Sequence, residues 1–293
     1  LHMKALIFGG TRFMGKYVSR EFLDAGYEVT IANRGTNEPV PGVTALKIDR
    51  SISGAVEVLK GSKFDVVIDF SAYPSSWVKE AGEVLKGNIG RYLFISSGAV
   101  YKKSNYFPIQ EHFERAPNEL FFTYSDEKIK GENFILEFSN NGYFETVSCR
   151  LPYVMGIDNY EDREGFVLSR IMHNRPVLVP DSGESVKSFI YAGDVAKALQ
   201  RAALQLECFR VAGYLRQPGQ RLFAFSFSSS EISSFNVNGR AIDNTANVLA
   251  IGSKTSAVHV DRLVKQFRLV QGVAELFVGV GSLFFRQLRD GLC

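Results

Sequence analysis

The sequence predicts an α/β protein built on a doubly wound parallel sheet, and three observations carry that expectation. Six short apolar runs recur through the first 150 residues, separated by stretches with helical spacing. The runs are continuous rather than alternating, as in strands buried on both faces. The first of them opens into a glycine-rich turn and then a helix, Lys4 to Val18 reading KALIFGGTRFMGKYV. In such a sheet a ligand is expected at the carboxyl ends of the strands.

The elements follow in order. Ala5–Phe8 is the first strand. Gly9 suits the tight turn, and Gly15 the close packing of helix on strand. Gly10 and Thr11 offer backbone N–H groups and a hydroxyl to a pyrophosphate at a helix N-terminus. Arg12 stands where the central glycine of the usual spacing would be, with Phe13 and Met14 completing the turn. Tyr17–Ala25 is the first helix, and Val29–Ala32 is a strand that leads into Asn33 and Arg34. Thr44–Ile48 is a strand followed by Asp49 and Arg50, and Ser53–Leu59 reads as a helix. Val66–Phe70 leads into Ser71 and Ala72, and Val78–Leu85 is helical. Tyr92–Ser96 ends at a serine pair, Ser96 and Ser97. Lys128–Phe138 is a helix stopped by Asn140-Asn141-Gly142, and Thr146–Cys149 is the sixth run.

Beyond Arg150 the rhythm changes. Residues 151–188 are rich in turns and charges, and Ser188 to Leu204 then reads as a strand and a helix capped by Asp194. Phe209–Ala212 suggests one more strand, and no pattern is readable after Gly213.

Composition excludes several classes. The 293 residues are 45% hydrophobic and 22% charged, ordinary for a soluble globular protein. A net charge of +3 is too near neutral for a protein that tracks nucleic-acid phosphates. Residues 205–293 hold six acidic against ten basic residues, so the first 204 are close to neutral. The three cysteines are scattered without a C-x-x-C pair, as in a reduced intracellular protein. Four histidines, none spaced i, i+4, argue against a metal site. Leu1-His2 reads as a cloning remnant before Met3, and no signal-peptide pattern precedes the first strand. The longest apolar stretch, Gly272 to Phe285, is interrupted and too short to span a bilayer. A soluble, cytoplasmic protein with no membrane association is expected.

One constellation carries chemistry. Tyr124 and Lys128 are spaced i, i+4, which puts both on one helix face about a turn apart. A tyrosine titrates near ~10 and is a poor base at neutral pH. A lysine ammonium beside it favours the phenolate and makes it a proton acceptor. Ser97, at the end of a strand where the ligand crevice should lie, can donate to an oxygen on a reacting carbon; a bland alternative is that it caps the following turn.

These motifs, in this order, resemble the extended short-chain dehydrogenase/reductases of the NAD-dependent epimerase/dehydratase group, known best from nucleotide-sugar epimerases. The likeness runs from Met3 to about Gly213. It comprises the glycine turn, Asp49-Arg50, DVVIDFSA at 65–72, FISSGAVY at 94–101, YSDEK at 124–128, Arg150-Leu151-Pro152 and KSFIYAGDVA at 187–196. The resemblance implies a Rossmann domain over 1–150 with about 189–213, and a smaller substrate lobe from 151–188 and 214–293. It implies Ser97, Tyr124 and Lys128 as the catalytic set. Gly9, Gly10, Thr11, Arg12, Phe13, Met14 and Gly15 would hold the cofactor phosphates, Asp49 the adenine, and Arg50 would be a further cofactor contact. Phe70, Ser71 and Ala72 would line its ribose, Pro152 would pack the nicotinamide end, and Lys187 would meet a substrate diphosphate. Lysine there is a point charge rather than the bidentate fork of an arginine. The implied activity is hydride transfer at a secondary alcohol of a sugar nucleotide or similar small molecule, ending in epimerisation or in oxidation. Homodimers that pair through the tyrosine-bearing helix are common among such relatives.

Two departures bear on the cofactor. Arg12 replaces a glycine, and Asn33-Arg34 stands where an NAD-selective enzyme has an acid. An arginine there attracts a 2′-phosphate, so NADP is favoured slightly over NAD. The GGTRF opening also resembles plastid stem-loop RNA-binding relatives of the fold. A protein that binds a nicotinamide nucleotide or RNA without turnover is therefore the alternative; such a binder has no need of the full Ser97, Tyr124 and Lys128 set.

Overall fold

The computed structural model describes residues 2–104, 106, 109–177, 188–204 and 221–224. Lys4–Phe8 (β1), Glu28–Asn33 (β2), Thr44–Lys47 (β3), Phe64–Asp69 (β4), Ile89–Ser97 (β5) and Glu145–Leu151 (β6) are the six runs the sequence marks as strands. Short strands follow at Tyr153–Met155 (β7), Phe189–Tyr191 (β8) and Arg221–Ala224 (β9). Among the described residues, seven of them form one sheet in the order β3-β2-β1-β4-β5-β6-β9, and every pairing in it is parallel. β7 and β8 form a separate parallel pair. The strand order reverses beside β1, so the crevice opens between β1 and β4, at their carboxyl ends.

Alternation along β1 shows why the run is continuously apolar. Ala5 and Ile7 join one core layer, and Leu6 and Phe8 the opposite one. The first layer is closed by Met14–Asp24 (α1) and Ala192–Leu204 (α5), through Val18, Phe22, Val195 and Leu199. The second is closed by Ser76–Leu85 (α2) and Phe122–Asn140 (α3), through Val78, Ala81, Leu85, Ile135 and Phe138.

α3 differs from the other helices in what it buries. Its inward face carries Ser125, Lys128 and Glu132 toward the N-terminus and Ile135 and Phe138 beyond them. Gly131 lets that face approach the sheet, since a Cβ there would lie 2.6 Å from the Phe94 ring. Polar residues are thus taken inside at the crevice end of the helix and apolar ones at its far end.

Some expectations are corrected. Ser53–Leu59 forms only a 3-10 turn, Ala55–Leu59, entered through Gly54 at φ 81°. Asp194 is no cap: α5 begins at Ala192 directly after β8, so Asp194 lies in the first turn. Its carboxyl is raised by burial. The four residues of β9 are too few to carry a periodic signal, and the expected strand at Phe209–Ala212 lies outside the described residues.

The chain divides into two compact units, residues 1–160 with 189–226, and residues 161–188 with 227–293. The first holds the sheets and α1, α2, α3 and α5. Within the second, Arg163–Met172 (α4) is helical, and Arg170 Nε donates to the Pro176 carbonyl at 2.6 Å. Among the described residues no helix is long and apolar enough to cross a membrane.

Candidate active site

The turn after β1 is shaped by backbone. Gly9 and Gly10 have φ of 111° and 87°, which glycine adopts without strain. A Cβ at Gly15 would come within 2.7 Å of the Gly10 nitrogen, so α1 packs against the turn at a distance only glycine permits. Phe13 caps α1 at φ 39° and makes no side-chain cap bond. The N–H groups of Gly15 and Lys16 turn back to the Arg12 and Phe13 carbonyls at 2.9 Å each, so the donors an anionic diphosphate would meet are those of the glycine turn itself, at Gly10 and Thr11. A cleft of about 370 Å³ opens here. Thr11, Arg12, Phe13 and Lys16 line one side, Asn37 and Glu38 another, and Asp158 and Asn159 a third.

Around the turn, several residues expected to touch a cofactor have other partners. Asn33 donates from Nδ2 to the Gly9 carbonyl at 3.0 Å and accepts the Gly35 N–H at 2.7 Å, so it braces the turn. Asp49 accepts the Ser51 hydroxyl and N–H at 2.7 and 3.0 Å. The Ser51 hydroxyl bond chiefly holds its carboxyl below the usual range, with the Arg34 charge adding to it. Arg12 stacks over the Tyr160 ring, its guanidinium carbon 3.9 Å from the centroid.

Arg50, expected as a cofactor contact, has its guanidinium turned to protein partners instead. It is buried, and its Nη1 donates to both oxygens of the equally buried Asp69, at 2.8 and 2.9 Å, and to Ser71 Oγ at 3.1 Å. Nη2 is taken by the Trp77 carbonyl, and the Tyr92 hydroxyl also donates to Asp69. A guanidinium so enclosed supports the crevice floor rather than facing a ligand.

At the other end, Lys128 is buried on α3 and reaches the carboxyl ends of two strands. Its Nζ donates to the Ile95 carbonyl at 2.8 Å and to the Ala72 carbonyl at 3.3 Å. The ammonium lies 5.9 Å from the centre of the Tyr124 ring. Burial pulls its pKa down to about 8, against the opposing charges of Asp69 and Glu132. Tyr124 keeps 38% of its surface exposed, and its ring lies 5.9 Å from that of Tyr73. Ser97 ends β5 two residues beyond Ile95, in register with Leu151, next to Pro152. Its Oγ accepts the Ala99 N–H at 3.2 Å, so the turn-capping role is real, and it leaves the serine's own O–H to donate elsewhere. The two ends are joined by Phe70–Ala72: a Cβ on Gly9 would touch Phe70 Cβ at 3.4 Å, and Ala72 holds Lys128.

Beneath this end lies a second buried cluster that the motifs do not reveal. Glu132, one turn beyond Lys128, accepts from Ser96 Oγ (2.6 Å), Arg150 Nε and Nη2 (2.8 and 2.7 Å) and Arg115 Nη1 (2.7 Å). Burial alone would raise its carboxyl, but the Arg150 bonds and charge, Ser96 and Arg115 hold it below the usual range. Glu132 and the cleft-lining Glu38 are the residues that motif reading missed, and Asp69 lies inside the DVVIDFSA motif, which assigns it no role. A helical i+4 spacing from Lys128 was the available signal for Glu132, and Glu38 had none. Lys187 lies outside the described residues. Among the described residues no group of His, Cys, Asp and Glu could hold a metal ion.

This geometry agrees with what the chain resembles. It is 29% identical over 230 residues to a chloroplast stem-loop binding protein of 41 kDa from Arabidopsis thaliana, covering 72% of this chain and 58% of that one. The chain thus spans under two thirds of that relative's length. A putative UDP-glucose 4-epimerase of Methanocaldococcus jannaschii is 25% identical over 219 residues, 66% of this chain and 71% of that one. The fold matches the NAD complex of Thermus thermophilus UDP-glucose 4-epimerase at a TM-score of 0.58 and 21% identity, covering 70% of this chain and 75% of that one. The family model for NAD-dependent epimerases and dehydratases matches residues 5–210, well over half of the sequence. With the glycine turn, the parallel sheet and the match in hand, the chain belongs to the NAD-dependent epimerase/dehydratase family.

Proposed function

We propose that this protein moves a hydride between a nicotinamide cofactor and a secondary alcohol of a sugar nucleotide or a similar small molecule. The observation that carries this reading is the buried Lys128, aimed from α3 at the carboxyl ends of β4 and β5 with Tyr124 over it. A buried lysine without a carboxylate partner is costly to keep. Its expense is understandable where an ammonium must face a phenol.

Bound at the turn, the nicotinamide nucleotide supplies the hydride acceptor. Tyr124 takes the hydroxyl proton of the alcohol, and the Lys128 charge favours the phenolate that does so. Ser97 donates its O–H to the oxygen that becomes a carbonyl. Gly10 and Thr11 would offer backbone N–H groups to the diphosphate, while the Gly9 and Gly15 N–H groups bond to the Ala32 and Arg12 carbonyls and shape the turn. Arg34, exposed at the end of β2, favours a 2′-phosphate, while Glu38 in the cleft opposes one. The test is to supply NAD or NADP with a panel of UDP- and dTDP-sugars, following reduced nicotinamide by absorbance and epimers by NMR. No turnover of any sugar by protein that holds the cofactor would overturn the reading.

A second reading has one specific support, the likeness to the chloroplast stem-loop binding protein. It requires RNA retention that falls steeply with salt. Retention without that slope, or none, leaves the enzyme reading alone.

A further inference from the structure

Arg12 occupies the place in the glycine turn where a side chain is least welcome, because a diphosphate must approach the backbone there. The structure shows where that side chain goes. Its guanidinium carbon lies over Tyr160, 3.9 Å from the ring centre, and the same ring meets Phe13 edge-on at 6.5 Å. The segment that carries Tyr160 is fixed to α1. Lys16 Nζ pairs with Asp158 at 2.8 Å, and the Tyr17 hydroxyl donates to the Ile157 carbonyl at 3.4 Å. Gly156 packs against Phe13 so closely that a Cβ would lie 3.4 Å from its ring.

From this geometry we propose that Tyr160 is a positioning residue that compensates for the missing glycine. It draws Arg12 aside by cation–π stacking, and so keeps the turn open to a dinucleotide diphosphate while leaving a cation on the cleft wall. Asp158 and Lys16 hold the platform in place. The proposal depends on the turn being the dinucleotide site, as the preceding section reads it. It adds a coupling between positions 12 and 160 that a purely structural tyrosine would not have.

A double-mutant cycle tests it, with NAD and NADP binding read by titration calorimetry and folding checked by circular dichroism. Tyr160→Ala should weaken dinucleotide binding about three- to tenfold, the size of a partly exposed cation–π contact. Tyr160→Phe keeps the aromatic face and should bind as the unaltered protein does. Arg12→Gly should bind NAD at least as well as the unaltered protein, and in that background Tyr160→Ala should cost nothing further. Turnover at saturating cofactor should stay unchanged, so that the effect falls on KM for the cofactor and not on kcat. An equal loss from Tyr160→Ala in both backgrounds would overturn the proposal, because the tyrosine would then act without Arg12. If Tyr160→Ala does not fold, Tyr160→Leu, which keeps bulk without an aromatic face, supplies the same test and should lose affinity only when Arg12 is present. Absence of any NAD or NADP binding by the unaltered protein would instead overturn the cofactor reading of the turn, and the role of Tyr160 with it.

Discussion

At the end of the crevice proposed for the nucleotide the groups on offer belong to the backbone, and Gly9, Gly10 and Gly15 set their directions. At the end proposed for the reaction they are the side chains of Ser97, Tyr124 and Lys128, with the buried Asp69 and Glu132 and their arginines nearby. A backbone site tolerates changes in its surroundings as long as the turn keeps its dihedrals. A side-chain site depends on every buried partner that fixes it, and two ionic clusters are committed to that task here. Such clusters add little net stability but are costly to break, since the partner left behind remains buried and charged.

Mutations can break this contrast in graded steps. Tyr124→Phe keeps the ring and should lower turnover by roughly 10² to 10⁴ while calorimetry finds cofactor affinity nearly unchanged. Comparable losses in both would mean that the two ends are not separable. Glu132→Ala would leave Arg150 and Arg115 facing each other without a carboxylate, at a cost of about 3–5 kcal/mol in urea unfolding. A cost near zero would show that the cluster relaxes into water.

Lys128 sharpens the contrast through pH. Burial lowers its folded pKa to about 8, whereas the unfolded lysine keeps its proton to an ordinary 10.5. Between those values the unfolded state binds more protons, so stability should rise with pH from about 8 to 10.5 in the cofactor-free protein. Lys128→Met should flatten that rise and melt higher than the unaltered protein at pH 7. Parallel melting curves across this range would show that the ammonium is not desolvated. The smallest effect is at the nucleotide end. Arg34→Ala should reduce NADP affinity about tenfold, the low end for a charge-assisted contact, and leave NAD affinity alone.

The same contrast governs what the sequence makes legible. Gly9 to Gly15 and the Tyr124–Lys128 pair are local patterns, and so are the apolar runs of β1 to β6, because each is a spacing within one element. The ionic clusters join residues from different elements: Arg50 meets Asp69 and Tyr92, and Glu132 meets Ser96, Arg115 and Arg150. Nothing in spacing announces such meetings, so Arg50 reads as a cofactor contact when it is a buried counter-ion. Arg12 is legible as an anomaly, but its remedy at Tyr160 is not. Glu38 enters the cleft through the course of a loop, which no periodicity encodes.

β9 has a consequence for synthesis. β6 pairs with β5 on one side and with Arg221–Ala224 on the other. As the chain leaves the ribosome, β1 to β6 and their helices can assemble while that second side still has no partner. Until residue 224 has emerged, β6 presents a row of unbonded N–H and C=O groups, the kind of edge through which nascent chains pair with one another. Chains truncated before residue 221 should therefore aggregate during translation more readily than full-length ones, and the nascent protein should need a chaperone over that interval.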